Sequence, residues 1–139
     1  MQMNELTLSV VTPERSILKE TSVESIILPG TTGQFNVLPG HTNFLTTLRY
    51  GVFGYRIKGE WQIAFLSGGF TQIFDGKVTV LAETIEMAQE LDLAKAEMEV
   101  TTLLSKLKAA KVGTPDYLAL ETEVEHARGK VKASQKKIH

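Results

Sequence analysis

Three histidines and a scatter of carboxylates are the side chains of this 139-residue chain best suited to acid–base or metal chemistry. His41, His126 and His139 show none of the short spacings that zinc sites use, and the chain has no cysteine to complete such a site. The sequence contains no glycine-rich phosphate loop and no nucleophile-elbow motif. We therefore expect no catalytic residue and no metal site. His41 follows Pro39-Gly40, where a turn-capping or interface role is expected and a catalytic base is the alternative.

Basic residues gather near the end of the chain, after Glu121, Glu123 and Glu125, and no acidic residue follows them. Cations near the C-terminus of a helix complement its dipole, so a solvated basic tail is one interpretation. A docking surface for carboxylates is the other. The residues concerned are Arg128, Lys130, Lys132, Lys136 and Lys137.

The composition is that of a folded globular protein, 42% hydrophobic and 22% charged, with a net charge of −1. A whole-molecule nucleic-acid binder is usually strongly basic, so that class is excluded. No apolar run approaches the roughly 18–20 residues of a membrane-spanning helix, and the start does not resemble a secretory signal. Any membrane role is therefore expected to be peripheral, through other proteins and without direct insertion.

Residues 1–84 carry the signals of short strands joined by turns. Nine of the eleven glycines and nine of the ten aromatic residues precede Glu83, which separates this part from a helical second half. Leu6, Leu8 and Val10 alternate with other residues as in a half-buried strand, and Asp75-Gly76 is a strong hairpin signal. No helical period interrupts the strands. An antiparallel β-sandwich is therefore expected.

Two further features concern the middle of this part. Residues 53–57 present an apolar face, which residues 61–65 are expected to resume after a turn at Lys58-Gly59. Ser67-Gly68-Gly69 lies inside a strand pattern, so we expect a bulge or a close crossing of two strands there.

Residues 85–139 carry two narrow apolar stripes at helical spacing. Lys111–Pro115 interrupts them, with Thr114 suited to cap the second helix and Pro115 to its first position. The short connection predicts an antiparallel helical hairpin, which needs a partner surface because a helical pair of this length is marginal alone. Gly129 is expected to be a soft point of the second helix, with close packing as the alternative. The stripes are Leu93, Ala96, Val100, Leu103, Leu107 and Ala110, then Tyr117, Leu120, Val124, Ala127, Val131 and Ile138.

The fold class expected is α+β with segregated parts, and the ordered motifs carry a resemblance to a known family. Gly33-Gln-Phe-Asn-Val-Leu-Pro-Gly-His41, Phe65-Leu-Ser-Gly-Gly-Phe70 and the opening Leu8-Ser-Val-Val-Thr-Pro13 resemble the epsilon subunit of F-type, bacterial-type ATP synthase. The resemblance covers nearly the whole chain and is weaker beyond about residue 112. It implies a non-catalytic rotor subunit of the central stalk. That subunit couples ion-driven c-ring rotation to ATP synthesis and inhibits ATP hydrolysis through its C-terminal helices.

The resemblance also implies partners and a location. The sandwich would dock on the rotor stalk, with Gln34 at the c-ring and Thr12 and His41 facing the gamma subunit; plain turn chemistry is the alternative for all three. The basic tail would dock against carboxylates of the beta (and alpha) subunits when the hairpin opens. The place implied is the cytoplasmic face of the bacterial inner membrane, with the stromal face of the thylakoid as the alternative.

Regulatory ATP is the one ligand that the resemblance raises, and no other cofactor is expected. The residues that match the ATP site of relatives are Asp92, Lys95, His126 and Lys130, where ATP-binding relatives have arginines at the last three. An ammonium is a point charge without the bidentate fork of a guanidinium, so millimolar binding or none is expected. A helix N-cap is the alternative role of Asp92. The competing functions are a nucleotide-sensing module, a hydrolase on a β-sandwich and an unrelated adaptor.

Overall fold

The computed structural model describes residues 6–136. Eight strands come first, and two helices follow a single 3-10 turn at Ala88–Glu90. The strands are β1 Leu6–Val11, β2 Ser16–Val23, β3 Ser25–Gly30, β4 Gly33–Val37, β5 Phe44–Ile57, β6 Glu60–Phe74, β7 Lys77–Ala82 and β8 Ile85–Met87; the helices are α1 Leu93–Ala109 and α2 Pro115–Ser134.

The strands form one sheet in the order β2-β1-β7-β6-β5-β3-β4, with β8 beside β6. The sheet folds over a core of buried side chains drawn from both ends of this order, among them Leu8, Ile26, Phe53 and Val80. The predicted sandwich followed by a helical hairpin is confirmed. One pair, β1 with β7, is parallel. A parallel pair needs a long connection, and five strands of chain separate these two.

Two tight turns join the long strands as expected. Asp75 and Gly76 have φ values of 48° and 78°, and Lys58 and Gly59 have φ values of 51° and 78°. Both central residues of each turn therefore lie in the left-handed region that matches the twist of a two-residue hairpin.

The expected close crossing lies at Gly68 and Gly69, where β6 changes its neighbour. β6 pairs with β8 up to Leu66 and with β7 from Gly69 onward. Gly69 has a φ of 144°, and a Cβ there would overlap the carbonyl oxygen of Leu81. Only glycine fits this position, so the prediction of a close crossing is confirmed.

The prediction of one shared apolar face for β5 and β6 is wrong. Phe53 belongs to the enclosed core, whereas Ile63 and Phe65 belong to a second buried cluster on the opposite face. Directly opposite residues of an antiparallel pair share a face, and Phe65 lies opposite Val52. The sheet is apolar on both faces here because α2 covers the second one.

The sheet extends past the expected boundary at residues 84/85. β8 pairs with β6 through Ala64↔Met87, Phe65↔Glu86 and Leu66↔Ile85. The first three residues assigned to the helical part are therefore a strand of the sandwich.

The two helices pack through the predicted stripes. Leu103, Val124 and Ala127 are buried together, and Val100, Leu107 and Leu120 pack around them. Thr114 caps α2 by accepting a hydrogen bond from the Tyr117 N–H at 3.3 Å, and Pro115 is its first residue. Ile138 lies outside the described residues. Within residues 6–136, neither helix is long and apolar enough to cross a membrane.

Candidate protein-docking site

One face of the β5–β6 hairpin is covered by α2. Val52, Ile63 and Phe65 of the sheet form a buried cluster with Ala133 of α2 and Ala88. Burial of these side chains is the main apolar contact between the sandwich and the second helix. We call the state in which α2 lies on this face the docked state.

Gly129 is where α2 comes closest to the sheet. A Cβ built on Gly129 would lie 2.6 Å from Cε1 of Phe65 and 3.3 Å from its Cδ1. Such a distance is shorter than any ordinary carbon–carbon contact, so a larger residue would force the helix away from the ring. The expectation of a soft point is therefore replaced by its alternative, a close-packing site.

His126 lies between two aromatic rings of the sheet. Its ring centroid is 4.9 Å from that of Tyr50 and 4.9 Å from that of Phe65, and both pairs are edge-to-face. Burial lowers the pKa of His126, with a smaller lowering from the charge of Lys130. The ring is thus held neutral in an apolar contact, which suits packing rather than phosphate binding.

Polar contacts fix α2 on both sides of this apolar cluster. The Tyr50 hydroxyl donates to a carboxylate oxygen of Glu125 and accepts a 2.8 Å hydrogen bond from Arg49. Arg49 also lies 3.6 Å from the Glu125 carboxylate. Burial and the hydrogen bond to Glu125 raise the pKa of Tyr50. Sequence reasoning missed this network, since residues 75 positions apart give no local signal.

On the second side, the ammonium of Lys130 lies 3.3 Å from a carboxylate oxygen of Glu86 on β8. Both side chains are partly exposed, so this ion pair contributes at most about 1 kcal/mol to docking. Lys130 is therefore already engaged within the chain while α2 is docked.

An uncovered apolar patch lies away from α2, at the open end of the β5–β6 hairpin, and is formed by Phe44, Leu45, Phe70 and Phe74. Leu45 is 60% exposed and Phe74 is 55% exposed. These four residues line one open depression of about 460 Å³. A contiguous exposed group of large apolar side chains on a folded domain marks a protein-binding surface.

His41 lies beside the apolar patch. Its ring centroid is 6.1 Å from that of Phe44, and its Nδ1 is 2.8 Å from the carbonyl oxygen of Thr42. The backbone N–H of His41 also donates to the Leu38 carbonyl, which closes a turn. The residue thus combines the turn role with a position at an exposed apolar surface.

Thr12 occupies a turn, in which its N–H donates to the Arg15 carbonyl at 2.9 Å. Thr12 lines a depression of about 350 Å³ with Leu81. Leu81 pairs with Phe70, a residue of the apolar patch, across β6 and β7. Thr12 thus lies in a depression that adjoins the strand pair carrying part of the patch.

Gln34 lies elsewhere, on β4. It is exposed and lines a cleft between the sheet and α2 together with Arg128 and Lys132. Gln34 belongs neither to the enclosed core nor to the lining of the apolar patch. The predicted c-ring contact and the predicted gamma contacts thus occupy two different surfaces.

Three of the four residues matched to an ATP site, Asp92, His126 and Lys130, have side-chain partners within the chain. Asp92 caps α1 by accepting from the Lys95 N–H at 3.1 Å, which confirms the N-cap alternative. His126 is held between two rings and Lys130 pairs with Glu86. Within the described range, no three His, Cys, Asp or Glu side chains are grouped as a metal site would require.

The basic residues of the tail lie on different surfaces of the protein. Arg128 and Lys132 face the cleft, whereas Lys130 faces β8. Lys136 follows α2 with a φ of 58°. Lys137 lies outside the described residues, as does His139.

Residues 5–88 match the family model described as ATP synthase, Delta/Epsilon chain, beta-sandwich domain. The chain is 35% identical over 133 residues to the ATP synthase epsilon chain of Synechococcus sp. (strain CC9311), covering 94% of this chain and 97% of the relative. It is 38% identical over 122 residues to that of Geobacter sulfurreducens, covering 88% of each. Its fold is similar to a chain of the Euglena gracilis mitochondrial ATP synthase solved with OSCP, F1 and the c-ring, with a TM-score of 0.80 at 21% identity, covering 91% of this chain and 79% of that one. The chain therefore belongs to the ATP synthase epsilon-chain family.

Proposed function

We propose that this chain is a non-catalytic rotor subunit of the central stalk of an F-type ATP synthase. The observation that carries the proposal is a pair of apolar surfaces on the sandwich, one covered by α2 and the other, the apolar patch, uncovered. A sandwich that buries one such surface against its own helix and leaves the other exposed is suited to permanent docking on one partner and reversible docking of the helix.

The gamma subunit is the partner proposed for the uncovered apolar patch. His41, one of the two residues matched to gamma contacts, lies beside it, and Thr12, the other, lines a depression with Leu81, whose strand partner Phe70 belongs to the patch. Gln34, on a separate surface, is proposed to meet the polar loops of the c-ring. Its neutral amide would make hydrogen bonds there, so this contact depends little on salt.

Inhibition of ATP hydrolysis is the role proposed for α2. When α2 leaves the sheet, its basic residues become available to carboxylates of the beta and alpha subunits. Each exposed ion pair is worth at most about 1 kcal/mol, so several must act together to shift a two-state element. The docked contacts described above set the free energy that such binding must exceed.

A truncation separates the two roles. Removing residues 113–139 deletes α2 and leaves every strand of the sandwich, so the complex should still assemble and stay coupled. We expect ATP hydrolysis by the membrane-detached complex to rise. Equal rates of ATP hydrolysis by the truncated and intact complexes, across ATP and salt concentrations, would show that α2 does not inhibit hydrolysis.

The chain itself is proposed to lack ATPase activity and to act at the membrane only through its partners. The proposed location is the cytoplasmic face of the bacterial inner membrane, or the stromal face of the thylakoid. ATP turnover that scales with the purified chain, in the absence of catalytic subunits, would contradict the first statement.

A second proposal concerns regulatory ATP. We propose that the chain binds ATP with millimolar affinity or does not bind it at all. What supports it is the engagement of Asp92, His126 and Lys130 within the chain, since ATP would have to displace these contacts. Calorimetry on the isolated chain tests it, and micromolar affinity would overturn it.

A further inference from the structure

The apolar patch continues across two further strands. Phe70 of the patch lies opposite Leu81 of β7, and Leu81 lies beside Val11 of β1 in a parallel pair. Residues at directly paired positions of neighbouring strands share a face of the sheet, so these three side chains form one apolar row. Leu81 is 47% exposed and lines the depression of about 350 Å³ together with Val11. The exposed apolar surface therefore extends from β5 through β6 and β7 to β1.

The apolar row ends at a carboxylate. Among the residues that the structure describes, Glu83 is the one charged residue that lines the depression. Its backbone N–H donates to the Gly68 carbonyl at 3.0 Å, and a Cβ built on Gly68 would lie 3.7 Å from its carboxylate. Within residues 6–136, no Lys, Arg or His nitrogen lies within 4.0 Å of that carboxylate. Glu83 thus brings an acidic group without a counterion to the rim of an apolar surface.

This arrangement sets a condition on any partner that covers the row. Covering the depression would remove water from Glu83, and a carboxylate that loses its water without a counterion strongly opposes binding. An arginine or lysine meets the condition, because its aliphatic stem packs on apolar side chains while its charged end reaches the carboxylate.

We propose that the depression receives an arginine or lysine side chain of the partner that docks on the apolar patch, with its stem against Leu81 and Val11 and its charged end at Glu83. This inference rests on the proposed function, in which that partner is the gamma subunit. It assigns Glu83 a role in specificity, since a neutral or acidic residue of the partner at this point would leave the carboxylate unpaired or repelled.

The test measures the affinity of the full chain for the gamma subunit by calorimetry, at low and at raised salt. Glu83→Gln keeps the shape of the side chain and removes its charge. It should weaken binding at least about fivefold and reduce the dependence of the affinity on salt. Glu60→Gln is the matched control, because Glu60 is exposed at the other end of β6. It should change the affinity less than about twofold.

A second variant tests the apolar row. Leu81→Ala should weaken gamma binding at least about fivefold, because it removes the side chain that joins the patch to the depression. Met98→Ala truncates a side chain of α1 that is 69% exposed, away from the row, and should leave the affinity unchanged. Backbone amide NMR signals of each variant verify that its fold is intact.

Variants of gamma identify the cation. Each exposed arginine and lysine of gamma is changed to alanine and combined with Glu83→Gln. The effects on affinity of one such change and of Glu83→Gln should be non-additive by at least about threefold, because both remove the same contact.

Three outcomes would overturn the inference alone, provided that Leu45→Asp abolishes gamma binding. They are unchanged affinity and salt dependence in Glu83→Gln, unchanged affinity in Leu81→Ala, and additivity of Glu83→Gln with every gamma variant. Failure of the wild-type chain to bind gamma would overturn the proposed function together with the inference.

Discussion

Gly129 of α2 and Phe65 of β6 are in closer contact than any other residue type at position 129 would allow. A Cβ on Gly129 would lie 2.6 Å from Phe65 Cε1, so the helix rests directly on the ring. Phe65 is itself 1% exposed. This contact exists only in the docked state, and its loss is a direct measure of helix release.

Gly129→Ala should weaken docking. Alanine stabilises a helix interior by about 1 kcal/mol relative to glycine, but overpacking against a fixed ring costs about 1–3 kcal/mol. The overpacking term wins, so α2 amides should exchange faster with deuterium while the sandwich amides stay protected. Unchanged exchange on both sides of residue 129 would contradict the close-packing role.

A second substitution serves as the control for this prediction. Phe65→Leu removes part of the ring that the new methyl group meets, so it should offset some of the effect of Gly129→Ala. The two changes are in direct contact and should be non-additive by about 0.5–3 kcal/mol. Strict additivity would mean that the two residues do not meet.

The hydroxyl of Tyr50 should contribute measurably to docking. Tyr50→Phe keeps the ring against His126 and removes the hydroxyl's bonds to Glu125 and Arg49, of which the bond to Glu125 joins the sheet to α2; its loss should cost about 0.5–1.5 kcal/mol. Tyr117→Phe, in the first turn of α2, is the matched control. Hydrogen exchange of the α2 amides should become faster in Tyr50→Phe and stay unchanged in Tyr117→Phe. Equal exchange in the two variants would show that the Tyr50 network does not contribute to docking.

Docking should weaken under mild acid. Burial holds the pKa of docked His126 below its usual value, and Lys130 adds to the lowering, while Glu99 and Glu86 oppose it. On release the pKa returns toward about 6.5, so the released form binds a proton more readily. The contribution of His126 to docking is therefore complete above about pH 6.5 and is lost as the pH falls through the docked-state pKa.

Exchange of α2 amides, corrected for intrinsic rates, measures this pH dependence. His126→Gln should dock less well and lose the dependence, because it carries no titrating group. A wild-type protein whose docking stays constant as the pH falls well below 6.5 would exclude the effect.

The basic tail should act as a group, with Lys130 as the exception. Lys130 pairs with Glu86 in the docked state, so this residue stabilises docking. After release the same residue would be available to the carboxylates of the beta and alpha subunits. A variant that keeps Lys130 and changes the other four basic residues to alanine should relieve inhibition more than the five-alanine variant. Added salt should weaken wild-type inhibition. Assays of ATP hydrolysis by the membrane-detached complex compare the two variants. Greater relief of inhibition by the five-alanine variant would contradict the stabilising role of Lys130 in docking. The four residues are Arg128, Lys132, Lys136 and Lys137.

Leu45→Asp should prevent binding to the gamma subunit without unfolding the chain. Leu45 is 60% exposed at the apolar patch, and Leu118 of α2 is 61% exposed outside it. A charge buried in an interface costs several kcal/mol, whereas one on an open surface costs little. Co-purification with gamma should fail for Leu45→Asp and survive Leu118→Asp. Retained binding of both variants would place gamma elsewhere.

Local signals were enough to predict several strands, two tight turns and the cap of α2, although β8 was assigned to the helical part. Asp75-Gly76, Thr114 and Gly69 each act through the conformation of one or two residues, and each has the predicted role. The face of Phe65 was predicted wrongly because alternation along a strand shows that two faces exist and not which element covers each. The hydrogen bond between Tyr50 and Glu125 joins residues that are distant in sequence, so no local sequence pattern predicts it.

The second apolar face of the hairpin has a consequence for biogenesis. A newly made chain whose α2 is docked keeps Val52, Ile63 and Phe65 out of water before any partner is present. The same residues, bared on an isolated chain, would be a site for non-specific aggregation. We therefore expect α2, while it is docked, to protect the isolated chain from aggregation through these three side chains.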